Sequence, residues 1–306
     1  MSLKEITSKK RVLLIINPSS GPQKGKLTYY DIIDYYAGHD CVTTTMKTEG
    51  ANDAADFVRQ YGPENDLVVC CGGDGTLNEV ITGMMSLEDR KPIGFLPCGS
   101  TNDMARTLKL PYKSLKKCRA VTLDGTPVPH DVGLFNGSRY FNYVCSFGAF
   151  TRVSYATPRW LKKSLGHFAY ILDGIVSLGD IKPVHMQITL GDGTEIENDY
   201  IYGGVTNALS VGGLVKLKEN DVALNDGIFE VMLIRNPKSA SELQQILNGV
   251  LKQQFDDEYV RFLHTDKITF RPEKPVGWTV DGEFGGEPDE VTAECLHNAV
   301  SIMRRS

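Results

Sequence analysis

The chain has 306 residues, with 33 Lys and Arg against 38 Asp and Glu, a formal net charge of −5, 41 % hydrophobic and 23 % charged residues. This length exceeds what one hydrophobic core usually serves, so two domains are expected, and the composition excludes wholesale disorder. An acidic balance also excludes bulk electrostatic attachment to DNA or RNA, so no nucleic-acid partner is expected. The basic cluster Lys113, Lys116, Lys117 and Arg119 reads as a solvated helix face rather than a headgroup patch. The polar start Met-Ser-Leu-Lys-Glu carries no signal-peptide pattern, and no apolar stretch is long enough to cross a bilayer, so a cytoplasmic location is expected. Seven cysteines, Cys41, Cys70, Cys71, Cys98, Cys118, Cys145 and Cys295, show no zinc-ligand spacing and read as reduced structural thiols.

In chain order, Val12–Ile16 reads as a buried strand, Leu27–Ala37 as a helix and Val42–Thr45 as a β-branched strand. Ala51–Tyr61 has apolar residues at helical spacing. Leu67–Cys71 is a third strand followed by a helix over Leu77–Met85, and Ile93–Leu96 a fourth followed by a helix over Asp103–Leu108. Buried, non-alternating strands separated by helices predict a parallel sheet covered on both faces. The pattern changes near Pro127–Pro129. Beyond it β signals dominate: Tyr140–Cys145, Val184–Leu190, Tyr200–Thr206, Ile228–Ile234, Val260–Phe262, Lys267–Phe270, Gly277–Val280 and Val291–Leu296. Helical segments interrupt them at Trp160–Leu178 and Ala240–Lys252. The expected architecture is a doubly wound α/β domain over 1–128, joined by the last residues 297–306, and an antiparallel β domain over 129–296.

The sharpest motif is Cys71-Gly72-Gly73-Asp74-Gly75-Thr76-Leu77-Asn78-Glu79, directly after a strand. Its glycines permit close approach of a ligand to the backbone. Thr76 and Glu79 have capping-box spacing, which predicts a helix start at Thr76 whose free N–H groups and dipole suit a phosphate. The pattern recurs after the next strand, in Pro97-Cys98-Gly99-Ser100-Thr101-Asn102-Asp103, where Ser100 and Asp103 again have capping-box spacing. In a doubly wound sheet both loops fall on the carboxyl edge, where ligands bind. The first strand ends in Asn17-Pro18-Ser19-Ser20-Gly21, with Gly25 and Lys26 beyond, and this fails the spacing of a Walker A loop. Gly191-Asp192-Gly193-Thr194 repeats the letters of Gly73–Thr76 but lies between alternating strands, and is read as a hairpin turn.

Together, Asn17-Pro18-x-Ser-Gly21, Gly72-Gly73-Asp74-Gly75-Thr76-x-Asn78-Glu79 and Leu96-Pro97-x-Gly99-Ser100-Thr101-Asn102-Asp103 resemble the diacylglycerol kinase catalytic-domain family, which includes bacterial soluble diacylglycerol kinases, YegS-like lipid kinases, sphingosine kinases and ceramide kinases. Asp131-Val132-Gly133-Leu134, Phe141-Asn142, Asn225-Asp226-Gly227 and Val280-Asp281-Gly282-Glu283 follow in the expected order, so the similarity covers nearly the whole chain. The resemblance implies an α/β nucleotide-binding domain of NAD kinase/diacylglycerol kinase type and a C-terminal antiparallel β-sandwich.

It also implies an activity, transfer of the γ-phosphoryl of ATP to a lipid hydroxyl with Mg²⁺, by a protein that visits the membrane surface transiently from the cytoplasm. ATP contacts would come from Asn17, Pro18, Ser19, Ser20, Gly21, Thr48, Gly72, Gly73, Asp74, Gly75, Thr76, Leu77, Asn78, Ser100 and Asn102. Asp226, with the carbonyls of Ala223 and Ile228, would hold a structural Mg²⁺. Asp281 and Glu283 would form a catalytic acid pair, Glu283 standing where a proton acceptor is assigned, with Asp74 near the metal or a bound water. The family usually has Gly where this chain has Asn52, and a Pro where it has Glu219-Asn220-Asp221. Two rival readings stay open: a soluble small-molecule kinase of NAD kinase type, and a non-catalytic nucleotide-binding regulator. Lys162 and Lys163 beside Trp160 read as a solvated helix end, and Phe147, Phe150 and Tyr155 as core or acyl-pocket residues. The identity of the lipid is not legible, and a homodimer is left open.

Overall fold

A computed structural model describes residues 9–20, 28–99, 102–148, 182–208, 210–211, 215–216, 223–252, 255 and 258–305. The chain divides into two compact units, one of Met1–His130 with Asn298–Ser306 and the other of Asp131–His297.

The first unit is built on four parallel strands: β1 (Lys10–Ile16), β2 (Cys41–Lys47), β3 (Leu67–Gly72) and β4 (Ile93–Pro97). Their order is β2-β1-β3-β4, and the end of β17 (Val291–Arg304) adds a parallel partner to β4 through Ile302 and Ile93. Val12–Ile15 and Leu67–Cys71 are fully buried, so these strands are covered on both faces, as their uninterrupted apolar runs predict. The helices are α1 (Tyr29–Ala37), α2 (Asp53–Tyr61), α3 (Asp74–Met85), α4 (Asp103–Thr107) and α5 (Leu115–Asp124). From β1 the chain moves outward to β2, and from β3 in the opposite sense to β4. The β1/β3 boundary is therefore the topological switch point of the sheet, the place where open α/β sheets bind ligands.

Local sequence explains several helix starts. Thr28 and Asp31 form a reciprocal capping box at α1, each side chain accepting the other's backbone N–H. α2 starts after Asn52, which adopts φ +70 without a side-chain cap. Asn tolerates this left-handed conformation better than other non-glycine residues, which accounts for its replacing the family's usual Gly. α5 carries Lys116, Lys117 and Arg119, three of the four basic residues that the sequence assigns to a helix face. Its Arg119 is not merely solvated: it donates to the Asp31 carbonyl at 3.0 Å and stacks over the Tyr35 ring.

The second unit is antiparallel. It contains β6 (Arg139–Phe141), β7 (Val144–Gly148), β8 (Val184–Leu190), β9 (Glu195–Thr206), β10 (Ser210–Val211), β11 (Val215–Lys216), β12 (Phe229–Arg235), β13 (Val260–Thr265), β14 (Lys267–Pro272), β15 (Trp278–Val280) and β16 (Glu283–Gly286), with helix α6 (Ala240–Lys252). β5 (Thr126–Phe135) and β17 each run across the boundary between the units. β9 is the organising strand: its first half pairs with β8, and its second half with both β7 and β12. Phe141, Phe147, Phe229, Phe270 and Trp278 fill the core, and Phe147 packs against both Phe270 and Trp278. Phe147 is therefore a core residue rather than part of an acyl pocket. The Gly191–Thr194 copy is the turn between β8 and β9, with Gly193 at φ +86 and Leu190 N–H donating to the Thr194 carbonyl. The helix expected at 160–178, and Phe150, Tyr155, Lys162 and Lys163, lie outside the described residues.

Candidate active site

Three loops meet at the carboxyl edge of the parallel sheet. Asn17, just past β1, donates its backbone N–H to the Cys71 carbonyl at 2.9 Å and its side-chain Nδ2 to Thr76 Oγ1 at 2.8 Å, so it ties the first loop to the second across the switch point. Its Oδ1 accepts from Ser19 N–H at 2.9 Å within a short 3-10 turn, Pro18–Ser20. Thr48, at the end of β2, is buried and donates its N–H to the Ile16 carbonyl. Gly21 and Ser100 lie outside the described residues.

The second and third loops interlock. Cys98 N–H donates to the Gly72 carbonyl at 2.7 Å, and a Cβ placed on Gly99 would stand 2.8 Å from the Gly73 Cα. A Cβ on Gly72 would stand 2.6 Å from the Thr76 side chain, so only glycine fits there. Cys71 and Cys98, the residues before each glycine, touch through their sulfurs at 3.4 Å. Gly75 differs from these: a Cβ there would meet none of the described residues within 4 Å. Among the described residues, no packing demands glycine at that position, in the first turn of α3.

The structure corrects both expected capping boxes. α3 begins at Asp74, with Gly73 as its N-cap, rather than at Thr76. Glu79 reaches away from its own helix and accepts the Ala54 N–H of α2 at 3.2 Å. The N-cap of α4 is Asn102, at φ +51 and without a side-chain cap bond. Asp74 supplies what a local cap does not: its two carboxylate oxygens accept the N–H groups of Asp103 and Met104 at 3.0 and 3.1 Å. Asn102 is buried, donates Nδ2 to the Gly99 carbonyl and leaves Oδ1 without a partner among the described residues.

In the second unit, Asp281 sits at φ +49 at the β15–β16 turn and accepts three backbone N–H groups, from Asn142, Tyr143 and Val144, at 2.9–3.0 Å. Three amide donors hold a carboxylate in one orientation. Glu283, the first residue of β16, is 79 % exposed and pairs with Arg139 at 3.0 Å. Arg139 also donates to the Phe284 carbonyl at 2.8 Å. The acid pair thus divides into a fixed member and a solvent-facing one. A lone Arg at position 139 gave no sequence signal.

Asp226 lies in the loop before β12 and accepts the Ile228 N–H at 3.1 Å. Asp131 braces that loop from below: its N–H donates to the Leu224 carbonyl, and its Oδ2 accepts the Gly227 N–H at 2.7 Å. Burial first, with the Asp226 and Asp131 carboxylates adding to it, pushes the Glu230 carboxyl up to about 8. No group of three His, Cys, Asp or Glu side chains with ligand geometry occurs among the described residues. The donors on the loop, a carboxylate and main-chain carbonyls, are hard oxygen ligands of the kind Mg²⁺ takes.

A parallel sheet whose first two loops are tied across its switch point and whose second and third interlock through their glycines, with an antiparallel β unit later in the chain, is the architecture of the NAD kinase/diacylglycerol kinase class of folds. The comparisons resolve the family. Residues 11–135 match the diacylglycerol kinase catalytic domain, and residues 144–304 match the YegS C-terminal NAD kinase beta sandwich-like domain. The chain is 31 % identical over 278 residues to a diacylglycerol kinase of Bacillus subtilis (strain 168), covering 90 % of this chain and 91 % of that protein. It is 32 % identical over 282 residues to a diacylglycerol kinase of Staphylococcus saprophyticus, covering 91 % and 90 %. In fold it is similar to the crystal structure of a diacylglycerol kinase from Bacillus anthracis str. Sterne, with a TM-score of 0.73 at 20 % identity over 97 % of both chains. It is more distantly similar to yeast NADH kinase complexed with NADH, with a TM-score of 0.52 at 11 % identity over 97 % of this chain and 84 % of that one. The chain belongs to the diacylglycerol kinase catalytic-domain family.

Proposed function

We propose that the protein is a lipid kinase that transfers the γ-phosphoryl group of ATP to the hydroxyl of diacylglycerol or a related lipid at a membrane surface. The observation that carries this reading is Gly75: a position in the first turn of α3, beside two interlocked glycine loops, where a Cβ would meet none of the described residues within 4 Å. A helix N-terminus approached through glycines at a sheet switch point is a seat for phosphate oxygens. The loop Asn17–Gly21, the residues Gly72–Asn78, Thr48, Ser100 and Asn102 are assigned to the nucleotide.

Phosphoryl transfer asks the protein for placement and charge neutralisation rather than covalent chemistry. The acceptor hydroxyl gives its proton to Glu283 as its oxygen bonds to the γ-phosphorus. The bond from that phosphorus to the β–γ bridging oxygen breaks, and ADP leaves with the electron pair. Glu283 is the better proton acceptor of the pair because it faces solvent, while Asp281 is engaged by three amides and orients the turn. The donor set at Asp226, with the Ala223 and Ile228 carbonyls, fits a structural Mg²⁺, and Mg²⁺ accompanying ATP supplies charge neutralisation.

The test is incubation of the purified protein with γ-labelled ATP, Mg²⁺ and either diacylglycerol vesicles or NAD. Label in phosphatidic acid is the expected result. Label in NADP alone, or nucleotide binding without transfer to any lipid, would overturn it.

A further inference from the structure

Around the loop 223–228, three polar side chains are almost wholly buried: Asp131 at 0 %, Asn207 at 0 % and Glu230 at 1 % exposure. Asp131 spends its groups on bracing the loop, as described above, and Asn207 Nδ2 donates to the Asp131 carbonyl at 2.9 Å. Two oxygens remain: Asn207 Oδ1 and Glu230 Oε2 are buried and have no partner among the described residues. Among the described residues, the charged side chains nearest in effect to Glu230 are the Asp226 and Asp131 carboxylates. A proton alone does not resolve this arrangement, because a protonated Oε2 would be a buried donor facing no acceptor among the described residues. Two buried oxygens left without partners beside a loop carboxylate are the pattern that a bound ion or water satisfies.

We infer that Glu230 and Asn207 complete, by direct contact or through one bound water, the oxygen donor set of a hard divalent cation held at loop 223–228. This inference rests on the reading of Asp226 as a cation ligand and extends it to one residue on β12 and one just past the end of β9. Every donor involved is an oxygen: two carboxylates, an amide and main-chain carbonyls. That set selects Mg²⁺ or Ca²⁺ over softer metals. It contains only two acidic side chains, in keeping with the lack of a three-residue acidic or His/Cys cluster among the described residues. Glu230 is placed for the task by strand pairing. Phe229 and Val231 turn into the hydrophobic core, so the residue between them points to the other face of β12, where it lies opposite Thr206, the residue preceding Asn207.

The experiment is thermal unfolding of the full chain without nucleotide, titrated with MgCl₂ or CaCl₂ at constant ionic strength. Wild-type protein is expected to show a saturable rise in Tm, and Asp226→Asn to lose it. Glu230→Gln, which mimics the neutral acid in size, is expected to raise the apparent cation Kd about tenfold or more, the range in which supporting groups at metal sites act. If Glu230→Gln folds and titrates like wild type, the inference is overturned while the Asp226 reading stands. If Asp226→Asn also titrates like wild type, or wild type shows no cation-dependent shift, both fall. Should Glu230→Gln fail to fold, wild-type crystals soaked in MnCl₂ decide: an anomalous peak within about 2.2 Å of Glu230 Oε2, or about 4–5 Å with a bridging water, supports the assignment. A peak beyond that distance, or none, overturns it.

Discussion

Asp74 caps the helix that begins at Asp103, although 29 residues of chain separate them: one carboxylate oxygen takes the Asp103 N–H at 3.0 Å, and the other takes the Met104 N–H at 3.1 Å. The acid in the most specific motif of the chain is thus a clamp between the second and third loops. Hydrogen bonds to a charged acceptor contribute about 1.5–3 kcal/mol each. Asp74→Asn, which turns an amide N–H₂ toward one backbone donor, is expected to lower Tm by several degrees and to speed hydrogen exchange at Asp103 and Met104 selectively. Kinase activity should fall with it. Unchanged exchange at those two amides would show that the clamp is not what the carboxylate provides.

Gly75 and Gly72 make opposite predictions although they are three residues apart. A Cβ on Gly72 collides with Thr76 at 2.6 Å, whereas one on Gly75 meets none of the described residues within 4 Å. Ala is a better helix former than Gly by about 1 kcal/mol. Gly75→Ala should therefore fold as well as wild type or better, while its affinity for ATP drops at least tenfold in calorimetric titration. Gly72→Ala should lose stability outright. Wild-type ATP affinity in Gly75→Ala would remove the phosphate seat from the N-terminus of α3.

How much of this was legible depended on whether a residue's partner lay nearby in sequence. β1, β3 and β4 announce themselves because strands buried on both faces are continuous apolar runs, and Thr28 with Asp31 caps α1 locally. Thr76 and Glu79 have the same spacing and mislead, because Glu79 binds Ala54 and the N-terminus of the next helix is capped by Asp74. β5 was hidden by Pro127 and Pro129, whose missing N–H groups argue against a strand. Asp131, Asn207 and Glu230 gather only once β5, β9 and β12 are placed, and no spacing links them. The glycine loops are legible as turns that lead from buried strands into helices. Their interlocking through Gly73 and Gly99 was not, since it depends on β3 and β4 being neighbours.

Buried His130 gives the first unit a pH dependence. Burial, with the Arg304 guanidinium adding to it, lowers its pKa from 6.5 to about 3, and neither ring nitrogen has a partner among the described residues. Between these values the unfolded chain binds a proton that the folded chain refuses. Stability is therefore intact above about pH 6.5 and falls as pH drops toward 3, by up to about 1.4 kcal/mol per pH unit. Urea unfolding at pH 7 and pH 5 should show the loss. His130→Phe should flatten the slope by close to one proton, and an equal slope in that variant would place the acid sensitivity elsewhere.

Asp281 and Glu283 stand two residues apart in opposite circumstances, and substitution should separate their roles. Asp281 is locked by the amides of Asn142, Tyr143 and Val144 in a left-handed turn, so Asp281→Asn removes a carboxylate that three donors face and should lower Tm and activity together. The Glu283 carboxylate pairs with Arg139 and is largely exposed, so Glu283→Gln should leave Tm within about a degree of wild type. If Glu283 takes the hydroxyl proton, kcat in that variant falls about 10²–10⁴-fold with little change in the KM for lipid, because a proton acceptor acts in the transition state rather than in binding. Arg139→Lys keeps the charge but loses the fork that spans Glu283 and the Phe284 carbonyl, and should give an intermediate kcat. Full activity in Glu283→Gln, with loss of activity but not of stability in Asp281→Asn, would exchange the two assignments.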